Sequence, residues 1–98
     1  MLIKIHKSYR DVVSICDSDL LGKFFEENEF QLDVKESFYN GEEKTEEEVS
    51  EIIQDLSRED ATFNIVGEKS INLALEEGII ENRSIKRIEN IPFSMVLL

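Results

Sequence analysis

Phe63-Asn64-Ile65-Val66-Gly67-Glu68 is the most informative segment of the sequence, because a β-favouring run ends there at a glycine. Phe63 and Ile65 fall on one side of a predicted strand that begins at Thr62, and Asn64 and Val66 fall on the other. Gly67 ends the strand and Glu68 begins a helix. The segment therefore predicts a strand that leads directly into a helix.

The residues that follow continue this pattern of helix and strand. Ile71, Ala74 and Leu75 have helical spacing, and Gly78 stands where a helix commonly ends. The apolar segment Phe93 to Leu98 is typical of a strand inside a sheet. We therefore expect a helix over residues 68–77 and a closing strand with neighbours on both sides.

The helix predicted upstream of this segment has a clear start signal. Thr45-Glu46-Glu47-Glu48 has the pattern of a capping box, in which Thr45 accepts from a backbone N–H and Glu48 reaches back. The apolar residues after it have a spacing of three, four and seven positions. They are Val49, Ile52, Ile53 and Leu56.

The first part of the chain predicts strands, a short helix and a turn. Leu2 to His6 and Val12 to Cys16 read as antiparallel strands, and Phe30 to Lys35 alternates as a third. Between them, Asp17 or Ser18 can cap a short helix whose apolar residues are Leu20, Leu21, Phe24 and Phe25. The Asn40-Gly41 pair after Tyr39 predicts a tight turn.

Together these elements predict the fold class. The expected order is β-β-α-β-α-β-α-β-β, which favours an α/β fold with one mixed sheet of five or six strands covered by about three helices. The chain has 98 residues, so we expect one globular domain over residues 1–98.

The composition bears on which partners the protein can bind and in which compartment it is expected. The net charge is −11, which disfavours general binding to nucleic acid because phosphates would be repelled. The start of the chain lacks a signal-peptide pattern and Cys16 is the single cysteine, so we expect a cytoplasmic protein.

The charge is unevenly distributed along the chain. Residues 17–60 have a net charge of −12, whereas residues 1–16 have a net charge of +2 and residues 61–98 of −1. If the first and last segments of the chain pack side by side, six of their basic residues form a basic strip. The alternative is that these residues only keep the surface solvated. These bases are Lys4, Lys7, Arg10, Arg83, Lys86 and Arg87.

The turn at Gly67 is the main candidate site for chemistry. Backbone N–H groups at a helix start can hold an anion or a carboxylate, with Asp17 or Glu68 as acid or base. The alternative is a tight structural turn in which Asn64 bonds locally. Cys16 is either a nucleophile at a helix start or, since Asp17 and Asp19 oppose a thiolate, a buried structural thiol.

Several segments together resemble a known family. They are Cys16 to Lys23, Phe38 to Glu42, Asn64 to Glu68, Gly78 to Ile80 and Ile88 to Pro92. By these the chain resembles the archaeal family catalogued as domain of unknown function 424. The resemblance implies a small, single-domain cytoplasmic protein without an established activity. Phe93 stands where that family often has a histidine.

We expect a non-catalytic adaptor that binds a basic protein surface in cytoplasmic machinery, with translation or RNA processing as the setting. Its candidate contacts are Phe38, Tyr39 and the turn from Asn64 to Glu68. One alternative is a ligand-binding protein or enzyme with a site at that turn, including Asp17, Asn64, Gly67 and Glu68. A further alternative is RNA contact through the basic strip. We predict no metal, cofactor or membrane association, and the sequence leaves the oligomeric state open.

Overall fold

A mixed sheet of six strands forms the centre of the structure, which is a computed structural model describing residues 1–98. A second sheet of two strands packs on part of it. The eight strands in chain order are β1 Leu2–His6, β2 Asp11–Cys16, β3 Phe24–Glu27, β4 Phe30–Asp33, β5 Glu42–Glu43, β6 Ala61–Val66, β7 Lys86–Ile88 and β8 Ile91–Leu97. The three α-helices are α1 Glu36–Tyr39, α2 Glu46–Leu56 and α3 Glu68–Glu76. The α/β prediction is confirmed.

The large sheet has the strand order β5-β1-β2-β6-β8-β7. Strands β2 and β6 are parallel, and every other neighbouring pair is antiparallel. The closing strand β8 lies between β6 and β7, but β7 pairs only with Ile91–Phe93. The predicted neighbours on both sides are therefore present at the start of β8 and absent beyond Phe93, where β6 is the only paired strand. Because β2 and β6 run in parallel, the residues that follow them meet at the same end of the sheet.

Helices α2 and α3 cover one face of the large sheet, which we call the helical face. Val13, Phe63 and Ile65 point to this face and are almost completely buried. They pack against the apolar stripe of α2, including Val49 and Ile53. The capping box is present, with Glu48 N donating to Thr45 Oγ1 at 3.1 Å and Thr45 N donating to Glu48 Oε1 at 3.0 Å.

The opposite face, which we call the hairpin face, is covered over only part of its length. The β3–β4 hairpin and the residues around it bury Cys16, Val66 and Leu2. Leu32 and Val34 contribute from the hairpin side. Ser14 is buried against α1, and the rest of this face carries partly or fully exposed side chains.

The short helix predicted after Asp17 is wrong. Ser18–Leu20 forms only a 3₁₀ turn, and Phe24 begins strand β3. Gly22 has a φ of 81° and its N–H donates to the carbonyl of Val34 at 2.8 Å. This bond diverts the chain into a hairpin before a second helical turn forms.

Gly41 is required for a reason other than a tight turn. Its φ is not positive, but a Cβ there would lie 2.1 Å from the carbonyl oxygen of Ile3. Only glycine lets the chain approach β1 closely enough for Glu42 and Glu43 to pair with Ile3 and Leu2.

Candidate functional site

The carboxylate of Asp17 caps the start of helix α3. Asp17 Oδ1 accepts from the backbone N–H and the hydroxyl of Ser70, both at 2.8 Å, and Oδ2 accepts from the N–H of Lys69 at 3.1 Å. Asp17 is 8% exposed. A negative charge at this position is stabilised by the free N–H groups and by the helix dipole.

The parallel pairing of β2 with β6 brings Asp17 to this position. Asp17 N donates to the carbonyl of Val66 at 3.0 Å, and Gly67 follows with a φ of 109°. A Cβ on Gly67 would lie 2.3 Å from Asp17 Cγ. The helix start that the sequence marks as a possible anion site therefore holds the protein's own carboxylate.

A cleft of about 590 Å³ lies beside this cap. Asp17 and Glu68 both line it, together with Asp19 and Lys69. Glu68 Oε1 accepts from Arg87 Nη1 at 2.8 Å, so its charge is paired at the rim. Asn64 lies outside the cleft, which separates it from the acids proposed to share a site with it.

Asn64 lies on the uncovered part of the hairpin face. The strand register places it between Ser14 and Met95, and it places Thr62 between Val12 and Leu97. Met95 is 71% exposed and Leu97 is 67% exposed, in the part of β8 that pairs with β6 alone. We call Val12, Thr62, Asn64, Met95 and Leu97 the open patch.

Phe38 borders this uncovered region and Tyr39 does not. The ring of Phe38 stacks on His6 with centroids 4.6 Å apart, and its carbonyl bonds to His6 Nε2 at 2.9 Å and Ser14 Oγ at 2.7 Å. Tyr39 is 7% exposed within the core, and burial raises the pKa of its hydroxyl to about 12. The sequence reasoning missed the contacts of His6 and Ser14. Their alternation with Ile5 and Val13 places them on this face, but no local pattern indicates α1 as their partner.

Cys16 is completely buried beneath the β3–β4 hairpin. Burial, followed by the nearby charge of Asp17, raises the pKa of its thiol from the ordinary value of 9.0 to about 11. Because a thiolate is the nucleophilic form, the surroundings of Cys16 oppose nucleophilic chemistry at neutral pH.

Four of the six bases of the proposed strip have acidic partners close to them. Lys7 pairs with Asp11, Arg10 with Asp60, Arg83 with Glu81 and Arg87 with Glu68. Lys4 Nζ donates to the carbonyl of Ser37 at 3.2 Å. These local pairs reduce the positive charge that the strip presents to a polyanion.

Acidic side chains from distant segments meet in a groove of about 490 Å³ between α2 and α3. We call the five glutamates that line it the acidic groove: Glu46, Glu47, Glu51, Glu76 and Glu77. No base lines this groove, and Leu73 contributes an apolar contact. Ser50 Oγ and Gln54 Nε2 donate to Glu77 at 2.7 and 2.9 Å, and these bonds lower the pKa of Glu77.

A family model described as "Protein of unknown function (DUF424)" matches residues 6–98. The chain belongs to this family. The resemblance found in the sequence segments is thereby confirmed, and the DUF424 match covers all three helices and every strand except most of β1. Membership brings no activity, since the family is described only as one of unknown function.

A solved structure described as "Crystal structure of an uncharacterized conserved protein from Methanopyrus kandleri" is similar to this DUF424 chain. The TM-score is 0.79 at 24% identity, and the alignment covers 98% of this chain and 89% of that one. At this identity the likeness shows the fold. No protein with a curated description matches the chain significantly.

The three helices are short relative to the thickness of a lipid bilayer. None of them is long and apolar enough to cross a membrane.

Proposed function

We propose that this protein is a non-catalytic adaptor whose acidic groove binds a basic protein surface. The setting is cytoplasmic machinery, with translation or RNA processing as the class of assembly. The observation that carries the proposal is the convergence of Glu47 and Glu51 from α2 with Glu76 from α3 along one groove.

None of the five glutamates of the groove forms an ion pair, and a base, Lys69, lies in the adjoining cleft beside Glu46 and Glu76. Like charges at neighbouring helical positions destabilise a protein by a few tenths of a kcal/mol per pair. A basic partner would remove this repulsion on binding and would be attracted over a long range by the net charge of −11. Electrostatic attraction of this kind increases the association rate and falls as salt rises.

The position of the groove also suits an adaptor. The groove lies on the outside of the helical face, and the open patch lies on the opposite side of the sheet. A basic partner bound between α2 and α3 therefore leaves Met95 and Leu97 free for a second contact.

The test compares the native chain with a groove variant in which Glu47→Gln, Glu51→Gln and Glu76→Gln are combined. A matched control carries Glu29→Gln, Asp33→Asn and Glu59→Gln, three exposed acids outside the groove. Each tagged protein is used to capture partners from the native cytoplasm at low and high salt, with and without ribonuclease.

We expect one defined set of partners with the native chain and with the control. This set should survive ribonuclease, dissociate at high salt and be absent with the groove variant. Equal capture by the groove variant, or capture that depends on RNA, would contradict the proposal.

A further inference from the structure

The outer edge of β8 pairs with no strand along half of its length. Strand β7 pairs with β8 only from Ile91 to Phe93. Continued pairing would place residues 82–85 beside the rest of β8, but the chain forms a 3₁₀ turn at Asn82–Ser84 instead. Ser94 Oγ holds this turn by donating to the carbonyl of Ser84 at 3.1 Å.

The backbone at this edge has donors and acceptors that point away from the sheet. Leu98 N donates to Ala61 O at 3.0 Å, and Gly67 N donates to Pro92 O at 2.9 Å. In an antiparallel pair the residues that bond to a given neighbour alternate, so the even-numbered residues of β8 bond to β6. The N–H and C=O groups of Met95 and Leu97 therefore point to the free edge, where no strand of this chain pairs with them.

The free edge also lacks the charges that protect the other edges of the sheet. Proteins commonly place charged residues on edge strands to prevent pairing with another chain. The edge strand β5 consists of Glu42 and Glu43, and the edge strand β7 contains Lys86 and Arg87. The segment from Ile91 to Leu98 has no charged side chain.

We propose that the free edge of β8 binds the same edge of a second copy of this chain. The two β8 strands pair antiparallel around a two-fold axis at Val96, and they join the two six-stranded sheets into one. Met95 of each copy exchanges both backbone hydrogen bonds with Leu97 of the other. This inference does not rest on the proposed function of the acidic groove.

The length and chemistry of the free edge favour a second copy over a foreign strand. Because β7 occupies the edge up to Phe93 and Ser94 bonds to the turn at Ser84, the unpaired residues in each copy are Met95–Leu97, and an isologous pair uses the same three residues twice. The contact places uncharged segments together in chains that otherwise repel through their net charges of −11. The exposed Met95 and Leu97 of both copies then form one continuous apolar surface.

Space is available for this contact. A cleft of about 220 Å³ lies beside Val96 on the helical face, between this strand and residues 78–84. Side chains of the second copy that point to the helical face can enter this cleft.

The test is the mass of the untagged chain measured by sedimentation equilibrium over a range of concentrations and salt. We expect a dimer that becomes tighter as salt rises, because salt screens the repulsion between the two acidic chains. A variant combining Met95→Lys with Leu97→Lys should be monomeric. The matched control, Phe24→Lys with Phe30→Lys, changes two exposed apolar residues by the same charge and should remain a dimer.

A cysteine cross-link tests the two-fold axis directly. Val96→Cys places two thiols opposite each other at a closely spaced antiparallel position, and the native Cys16 is buried. Mild oxidation should link this variant into a covalent dimer. The control variant Ile5→Cys, on strand β1 and separated from β8 by two strands, should stay monomeric. A native chain that stays monomeric at high concentration and high salt would overturn the proposal. The occupant of the edge would then be an extended segment of another protein. A dimer that keeps its affinity in the Met95→Lys and Leu97→Lys variant would also overturn it.

Discussion

Gly67 and Asp17 form the most constrained contact at the residue scale. Asp17 comes from the end of β2 and Gly67 from the end of β6, and the two meet because these strands are parallel. The φ of 109° and ψ of 155° at Gly67 are values that only glycine adopts readily. The absent Cβ at residue 67 and the carboxylate at residue 17 are therefore two parts of one helix cap.

Gly67→Ala should destabilise the protein by about 3 kcal/mol, which combines backbone strain with displacement of the charged cap. Urea unfolding followed by circular dichroism measures this loss. Gly78→Ala is the control, since its φ is 75° but a Cβ there meets no atom within 4 Å. That change should cost about 1 kcal/mol. Equal losses for the two variants would show that the contact with Asp17 contributes nothing.

Cys16 and Tyr39 make stability depend on pH in the alkaline range. Burial raises the pKa of Cys16 from 9.0 to about 11 and that of Tyr39 from 10.0 to about 12. In the unfolded chain both groups lose their protons at lower pH than in the folded protein. Above about pH 9 the unfolded state therefore binds fewer protons, and stability should fall as pH rises.

Thermal unfolding between pH 8 and pH 11 checks this prediction. Cys16→Ala should lower the Tm at pH 8 by creating a small cavity, but it should make the decrease between pH 9 and pH 11 shallower. Tyr39→Phe should make the decrease in Tm above pH 10 shallower. If both variants keep the native slope, the two groups do not titrate differently on folding.

At the scale of elements, α2 and α3 are held together despite facing acids. Ser50 and Gln54 on α2 bond to Glu77, which directly follows α3, while Glu47, Glu51 and Glu76 remain without a base in the groove. Their apolar faces pack on the same buried core, which outweighs the repulsion.

The groove variant with Glu47→Gln, Glu51→Gln and Glu76→Gln should therefore be more stable than the native chain. We expect a gain of about 0.5 kcal/mol at low salt, from several like-charge pairs of a few tenths each. The gain should shrink as salt is added. The control with Glu29→Gln, Asp33→Asn and Glu59→Gln should show a smaller change in the same urea titration. Glu47 also lies in the first turn of α2, where its charge is favourable to the helix dipole. Glu51→Gln with Glu76→Gln alone is therefore measured as well, and destabilisation of that double variant would mean that these acids do not repel each other.

Elements with strong local signals could be predicted from the sequence, and those set by distant contacts could not. The Thr45 capping box and the stripe after it define α2, and Gly67 marks the change from β6 to α3. The structure of the segment from Ser18 to Tyr39 could not be predicted from local signals, because its hairpin depends on the bond between Gly22 and Val34. Helical spacing at Leu20, Leu21, Phe24 and Phe25 arises there without a helix.

The candidate sites show the same division. The sequence singled out Asp17, Gly67 and Glu68 but not the cap that joins the first two. The groove depends on Glu47 and Glu76, which lie in separate helices, so only the packing of α2 on α3 reveals it. The free edge of β8 likewise depends on where β7 ends.

On the scale of the whole molecule, the three surfaces proposed or considered for binding occupy different sides. The acidic groove lies outside the helical face, the open patch lies on the hairpin face, and the free edge of β8 extends the plane of the sheet. In the proposed dimer the two acidic grooves therefore remain accessible. An adaptor built in this way would bind two basic partners.

The most direct test of the adaptor account is the affinity of the captured partner for three chains: the native protein, the groove variant and its matched control. Isothermal titration calorimetry at two salt concentrations supplies the dissociation constants. The account predicts that the groove variant binds about tenfold more weakly, or about 1.4 kcal/mol, with a smaller salt dependence, while the control binds like the native chain. Equal affinities for the groove variant and the control would contradict it.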